Sequence, residues 1–266
     1  MKSEPDWVPG KVKTKMKKLM IAAMAVLWGT VGFADVESAN VVGYNTGSTG
    51  SNNNFVTIPF ATVGYNTSDI QQLKIVGDGV GYGTETFSVW EGVPTIVEGS
   101  EFTYWDATMD PDGVAIESYW GDSSCIKASF SIAPGQSIAI NCSGDLIAQT
   151  SGEVSDGKVE FSSVEGNNFT GNPFPAEIDI QAIKVAGDGV GYGTETFAVW
   201  EGVPTVVEGS EFTYWDATMD PDGIATESYW GDSSCGKVEY PIAVGQGFVI
   251  NCTEGRIVSI EAPYSR

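Results

Sequence analysis

The 266-residue sequence predicts an all-β protein: two tandem β-sandwich-like modules of about 115 residues each, with minor helical turns. Three observations predict it. The chain repeats itself internally, its apolar residues fall in short β-branched runs, and Gly, Pro, Asn and Asp clusters break those runs at close intervals. The predicted modules span residues 35–152 and 153–266, each long enough to bury a core of its own.

The first element, residues 1–34, reads as a secretory signal peptide. Lys17 and Lys18 precede the apolar run Leu19–Trp28, and Gly32 and Ala34 supply the small residues of a cleavage site after Ala34. The apolar run is short for a membrane span, and no second stretch of spanning length follows. The expectation is therefore an exported chain, secreted or held at the cell surface, with no transmembrane segment after cleavage. Processing also sharpens the charge. Of 13 basic and 35 acidic residues in the whole chain, the leader carries six Lys and two acids, leaving 7 against 33 and a formal net of −26. Such a surface repels phosphate backbones, which excludes nucleic acid as a partner.

An internal duplication organises the mature chain. Residues 77–125 recur at 187–235 with a shift of 110, and only four of 49 positions differ: Ser88/Ala198, Ile96/Val206, Val114/Ile224 and Ile116/Thr226. Outside this block Asn53-Asn54-Phe55 matches Asn167-Asn168-Phe169 at a shift of 114, and Ile138–Cys142 matches Phe248–Cys252. Within the first copy, strand-like runs are predicted at Phe55–Phe60, Thr86–Trp90, Thr95–Val97, Phe102–Ala107, Val114–Trp120, Ala128–Ile132 and Ser137–Cys142. Ser68-Asp69-Ile70-Gln71 has capping-box spacing and predicts a single helical turn. Asp110-Pro111-Asp112-Gly113 predicts a hairpin turn with arms Glu101–Met109 and Val114–Trp120, because Pro presets its own φ and Gly accepts a positive one. Gly77–Gly83 reads as a turn, since no Gly-Lys-Ser/Thr ending follows and Asp78 would repel a phosphate.

Cysteine spacing gives one candidate constellation. Cys125 and Cys142 are separated by 17 residues, as are Cys235 and Cys252. In an exported chain this predicts two disulfides, Cys125–Cys142 and Cys235–Cys252, each worth about 3 kcal/mol by loop closure. A metal role is disfavoured, because the chain has no CxxC and no His. Asp106, Asp110 and Asp112 near Gly113 partly imitate a calcium loop. The EF-hand register would however put Thr108 first and Tyr119 twelfth, both wrong. No cofactor is expected, and weak calcium association between modules stays open.

Aromatic residues give the second constellation. Tyr104, Trp105, Tyr119 and Trp120 sit in the hairpin arms, matched by Tyr214, Trp215, Tyr229 and Trp230. Neighbours along a strand face opposite ways, so each hairpin should turn two of these rings into the core and two to its other face. A covering element is one explanation of the second face. A glycan-stacking platform bordered by Asp106, Glu117 and Asp122 is the other.

Catalysis is disfavoured: without His, neither Ser–His nor Cys–His nucleophiles exist, and paired carboxylates for glycoside hydrolysis do not stand out among 33 acids. Ala39–Thr46, Asn172-Pro173-Phe174-Pro175, the Tyr-Trp-Asp hairpin and Val244-Gly245-Gln246-Gly247-Phe248 together resemble uncharacterised secreted tandem β-repeat proteins of Gram-negative bacteria. That likeness implies export and tandem β modules, and brings no activity or catalytic residues with it. Ile58-Pro59-Phe60 departs from its Asn-Pro-Phe form. The functional expectation is a non-enzymatic structural or adhesive surface protein that meets a surface polysaccharide or another extracellular protein. The alternatives are a bivalent carbohydrate-binding module and, third, a secreted glycoside hydrolase.

Overall fold

The computed structural model describes residues 42–49, 52–61, 67–90, 95–155, 157–187, 190–200, 205–224 and 226–264. The expected signal peptide and its cleavage site lie outside them. The described chain is all-β, with several small antiparallel sheets in a propeller-like ring. Helical structure among the described residues is limited to short 3-10 turns, and none is long or apolar enough to cross a membrane.

Each repeat builds a five-stranded sheet in the same order. In the first copy the order is Asn52–Thr57, Ser137–Cys142, Tyr82–Ser88, Phe102–Trp105, Tyr119–Gly121. In the second it is Gly166–Gly171, Gly247–Cys252, Tyr192–Ala198, Phe212–Trp215, Tyr229–Gly231. A smaller sheet accompanies each. Leu146–Val154 takes Val42–Thr49, Phe60–Ala61 and Leu73–Val76 as partners, while Ile257–Glu261 takes Lys158–Ser162 and Ile183–Ala186. Registers repeat as well, since Thr46 pairs with Gln149 and Glu160 with Ser259, positions related by the shifts of 114 and 110.

A two-stranded pairing completes each copy, Ser68–Asp69 with Ser131–Ile132 and Ile178–Asp179 with Pro241–Ile242, and side chains from the sheets of a copy meet in one core. In the first copy Phe87, Tyr104, Trp120, Ile138 and Ile140 come from the larger sheet, and Leu73, Ile75, Leu146 and Ala148 from the smaller. Trp120 anchors it: the indole is fully buried, packs on Phe87 and Tyr104, and donates its Nε1–H to the carbonyl of Leu73 at 2.8 Å. Trp230 repeats the arrangement with the carbonyl of Ile183 at 2.9 Å. The helical turn expected near Ser68 is a 3-10 turn at Ile70–Gln72, and its capping box is formed by Asp69 and Gln72, one residue later than the spacing predicts. The hairpin arms are shorter than predicted. Only Thr103–Trp105 and Tyr119–Gly121 pair, and the chain between them forms a broad tip.

The cysteine prediction is corrected. None of the four cysteines forms a disulfide. Cys142 ends the second strand of its sheet and points into the core, whereas Cys125 lies exposed just beyond the edge strand Tyr119–Gly121. Three strand spacings separate those strands, about 14 Å at about 4.8 Å each, against the ~4.4–6.8 Å between Cα atoms that a disulfide spans. The second copy has the same layout. Equal separations of 17 were inherited when the segment was copied, so the second pair adds nothing independent to the first.

The repeats are joined within one compact unit by a seam of equivalent residues. Phe55 stacks on Phe169 with ring centroids 5.1 Å apart, and Trp90 and Trp200 close on both rings. Ala139 and Val249 complete the cluster. Hydrogen bonds cross in exchanged pairs: the Thr57 N–H donates to the Gly245 carbonyl at 2.8 Å, and the Gly171 N–H to the Gly135 carbonyl at 3.0 Å. Isolated bridges pair Val56 with Gln246 and Thr170 with Gln136. The ends of the edge strands Asn52–Thr57 and Gly166–Gly171 are thereby met by the other copy, which blunts an aggregation-prone edge. Close approach demands glycine here, because a Cβ on Gly247 would lie 2.7 Å from the backbone of Phe55.

Candidate functional site

The broad hairpin tip lines an open surface cleft of about 500 Å³. Asp110 shapes it. Its carboxylate accepts the backbone N–H groups of Asp112, Val114 and Ala115, while the Gly113 N–H donates to the Asp110 carbonyl at 3.1 Å and Gly113 takes φ +62°. The Pro-Asp-Gly segment is therefore the tight turn its sequence predicts, at the end of a wider loop. Among the described residues no group of three metal-ligating side chains converges.

Two phenol rings form part of the cleft wall. Tyr119 donates its hydroxyl to the Cys125 carbonyl at 2.8 Å. Tyr82 pairs across the strands with Trp105 and packs against it edge-on, with centroids 4.9 Å apart. Asp110, Asp112, Val114, Ile116, Glu117 and Lys127 are among the remaining lining residues. Glu117 and Lys127 form an ion pair at 2.7 Å. The electrostatics are consistent. Loss of solvent at the wall, followed by the Asp110 carboxylate, raises the Tyr82 phenol above its ordinary value. The Tyr119 phenol rises for the same first reason. Backbone donors from Ala115 and Asp112 hold Asp110 below the usual carboxylate range, and the Lys127 ammonium does the same for Glu117. At neutral pH the cleft thus presents neutral hydroxyls beside fixed negative charge.

The second copy builds the cleft again, at about 520 Å³, from Tyr192, Tyr229, Asp220, Asp222, Ile224, Thr226, Glu227 and Lys237. Tyr192 lies against Trp215 at 4.8 Å, and Lys237 pairs with Glu227 at 2.6 Å.

Of the eight aromatics proposed for ligand contact, the structure divides them by face. Tyr104, Trp120, Tyr214 and Trp230 are core residues, closed to any ligand. Tyr119 and Tyr229 reach the clefts. Trp105 and Trp215 are half-buried beneath Tyr82 and Tyr192 and support those rings from below. A Cβ on Gly83 would lie 2.7 Å from the Trp105 ring, so glycine there is what lets the indole lie flat against the strand. The indole N–H groups of Trp105 and Trp215 are buried without a partner. Tyr82 and Tyr192 escape a reading of the sequence because they sit in a glycine-rich segment that looks like a bare turn. Their cross-strand pairing with Trp105 and Trp215 is what marks them. Comparison with protein-family models, with curated proteins and with solved structures finds no match to the chain.

Proposed function

We propose that this is an exported, non-enzymatic adhesive protein, built from two β-sandwich-like repeats, whose twin clefts bind a neutral surface polysaccharide at two points. One observation carries the proposal: the same cleft, with its tyrosine pair, aspartate pair and Glu–Lys pair, occurs twice. Aromatic rings stack on the C–H faces of sugars, and fixed carboxylates accept hydrogen bonds from sugar hydroxyls. Three carboxylates against one ammonium in the first cleft favour a neutral chain over a uronate, sulfate or phosphate. Two linked sites gain avidity on a polymer that neither has for a short oligosaccharide.

Binding is favoured over turnover by the state of the carboxylates. A glycosidase acid needs a raised pKa at neutral pH, whereas Asp110 and Glu117 are both held low.

Titration with neutral polysaccharides and their oligosaccharides tests the proposal. Tyr82→Ala combined with Tyr192→Ala is expected to weaken polymer binding about a hundredfold, and either alone about tenfold, by loss of one of two linked sites. Failure of the full chain to bind any neutral glycan would refute it. Envelope fractionation tests the export component independently.

A further inference from the structure

We infer that the two clefts are not interchangeable: the first selects glycan units carrying an apolar substituent, such as an O-acetyl or O-methyl group, and the second makes no such selection. The inference rests on the glycan-binding reading above and concerns what each cleft takes.

Four differences in 49 positions separate the copied blocks, and their places in the fold are not scattered. Ser88 accepts the Trp90 indole N–H at 2.9 Å and Ile96 bridges the Trp90 backbone, so two differences adjoin the seam. The other two, Val114/Ile224 and Ile116/Thr226, lie in the cleft walls. Val114 to Ile224 preserves an apolar contact. Ile116 to Thr226 does not. Ile116 is 99% exposed, so its side chain contributes no packing to the fold and is available in full to an occupant of the cleft.

The two walls therefore differ in chemistry. Val114 and Ile116 offer a methyl or acetyl group an apolar surface to cover, beside carboxylates that engage the free hydroxyls of the same sugar. At the matching place Thr226 offers a hydroxyl, which bonds a sugar hydroxyl and gains little from a methyl. Covering part of one isoleucine side chain corresponds to about a fivefold preference.

The test uses the full chain and two probes of one neutral backbone: O-acetylated glucomannan oligosaccharides, and the same oligosaccharides after mild alkaline deacetylation. Tyr192→Ala isolates the first cleft and Tyr82→Ala the second, with melting curves confirming that each variant is folded. The first cleft is expected to prefer the acetylated probe about fivefold, Ile116→Thr to abolish that preference, and Thr226→Ile to create it in the second cleft. Ile116→Thr is neutral for folding because the side chain it alters is exposed. Equal preference in both clefts, or a preference unmoved by the exchange of Ile116 and Thr226, overturns the inference and leaves glycan binding standing. Binding of neither probe by the unaltered chain at millimolar concentrations overturns the inference, and the glycan-binding reading falls only if no neutral glycan binds.

Discussion

Glu85 and Glu195 are equivalent, both fully buried, and solved differently by their surroundings. Glu195 accepts Arg256 Nε at 3.2 Å and the hydroxyls of Thr194 and Thr253. Leu146 stands where the first copy would have that arginine, and Glu85 instead accepts the Gly81 N–H, Thr84 and Ser143. Gly191 donates to Thr194 as Gly81 does to Thr84, and where Glu85 takes a further donor from the Gly81 N–H, Glu195 takes the Arg256 guanidinium. Arg256→Leu is therefore expected to cost about 3 kcal/mol in chemical denaturation by leaving a buried carboxylate uncompensated. A second prediction concerns the thiols. Cys125 and Cys235 should alkylate in the native protein and Cys142 and Cys252 only on unfolding, with four thiols in all, because two are exposed and two are buried. Burial also pushes the Cys252 thiol upward in pKa, which slows it further. Much at this scale was legible beforehand. Alternation alone divides Tyr104 from Trp105 and Tyr119 from Trp120. It cannot say that Trp105 supports Tyr82, because that contact depends on register across strands.

At the scale of single elements, the Asp110–Gly113 turn was readable because its residues act locally: Asp caps, Pro sets φ and Gly takes the left-handed position. The turn also gives the cleft a pH dependence. Asp110 is depressed in the folded chain by backbone donors of the hairpin tip, so its contribution to stability is complete above the unfolded value of about 4. That contribution is lost as pH falls through the lower folded value. Thermal unfolding followed from neutral to acid pH should show a decline in this window, and Asp110→Asn should flatten it. Glu117 and Glu227, depressed by Lys127 and Lys237, contribute with the same sign. Strand Leu146–Val154 was not legible, since Ile147 places an apolar side chain on its outer face and Gly152 interrupts the pattern. The length of the hairpin tip was equally hidden, because Val114–Ser118 has strand-like composition yet pairs with no strand among the described residues.

The whole molecule depends on the seam. Tandem copies were visible in the sequence, but their mutual contact was not, because Phe55 and Phe169 read as ordinary core residues of separate modules. Both rings instead face each other across the join. Phe55→Ala is expected to remove about 3 kcal/mol of packing. By calorimetry it should convert one unfolding transition into two, as each copy retains its own core and loses its partner.

The seam also bears on ancestry. Its contacts exchange equivalent residues, Thr57 with Gly245 and Gly171 with Gly135, as do the halves of a symmetric dimer. A half-length progenitor could have met itself through that face, its single phenylalanine stacking on its own twin, before the two genes fused. Once both halves were encoded in one reading frame, position 116 could drift from position 226 without altering the union that holds them.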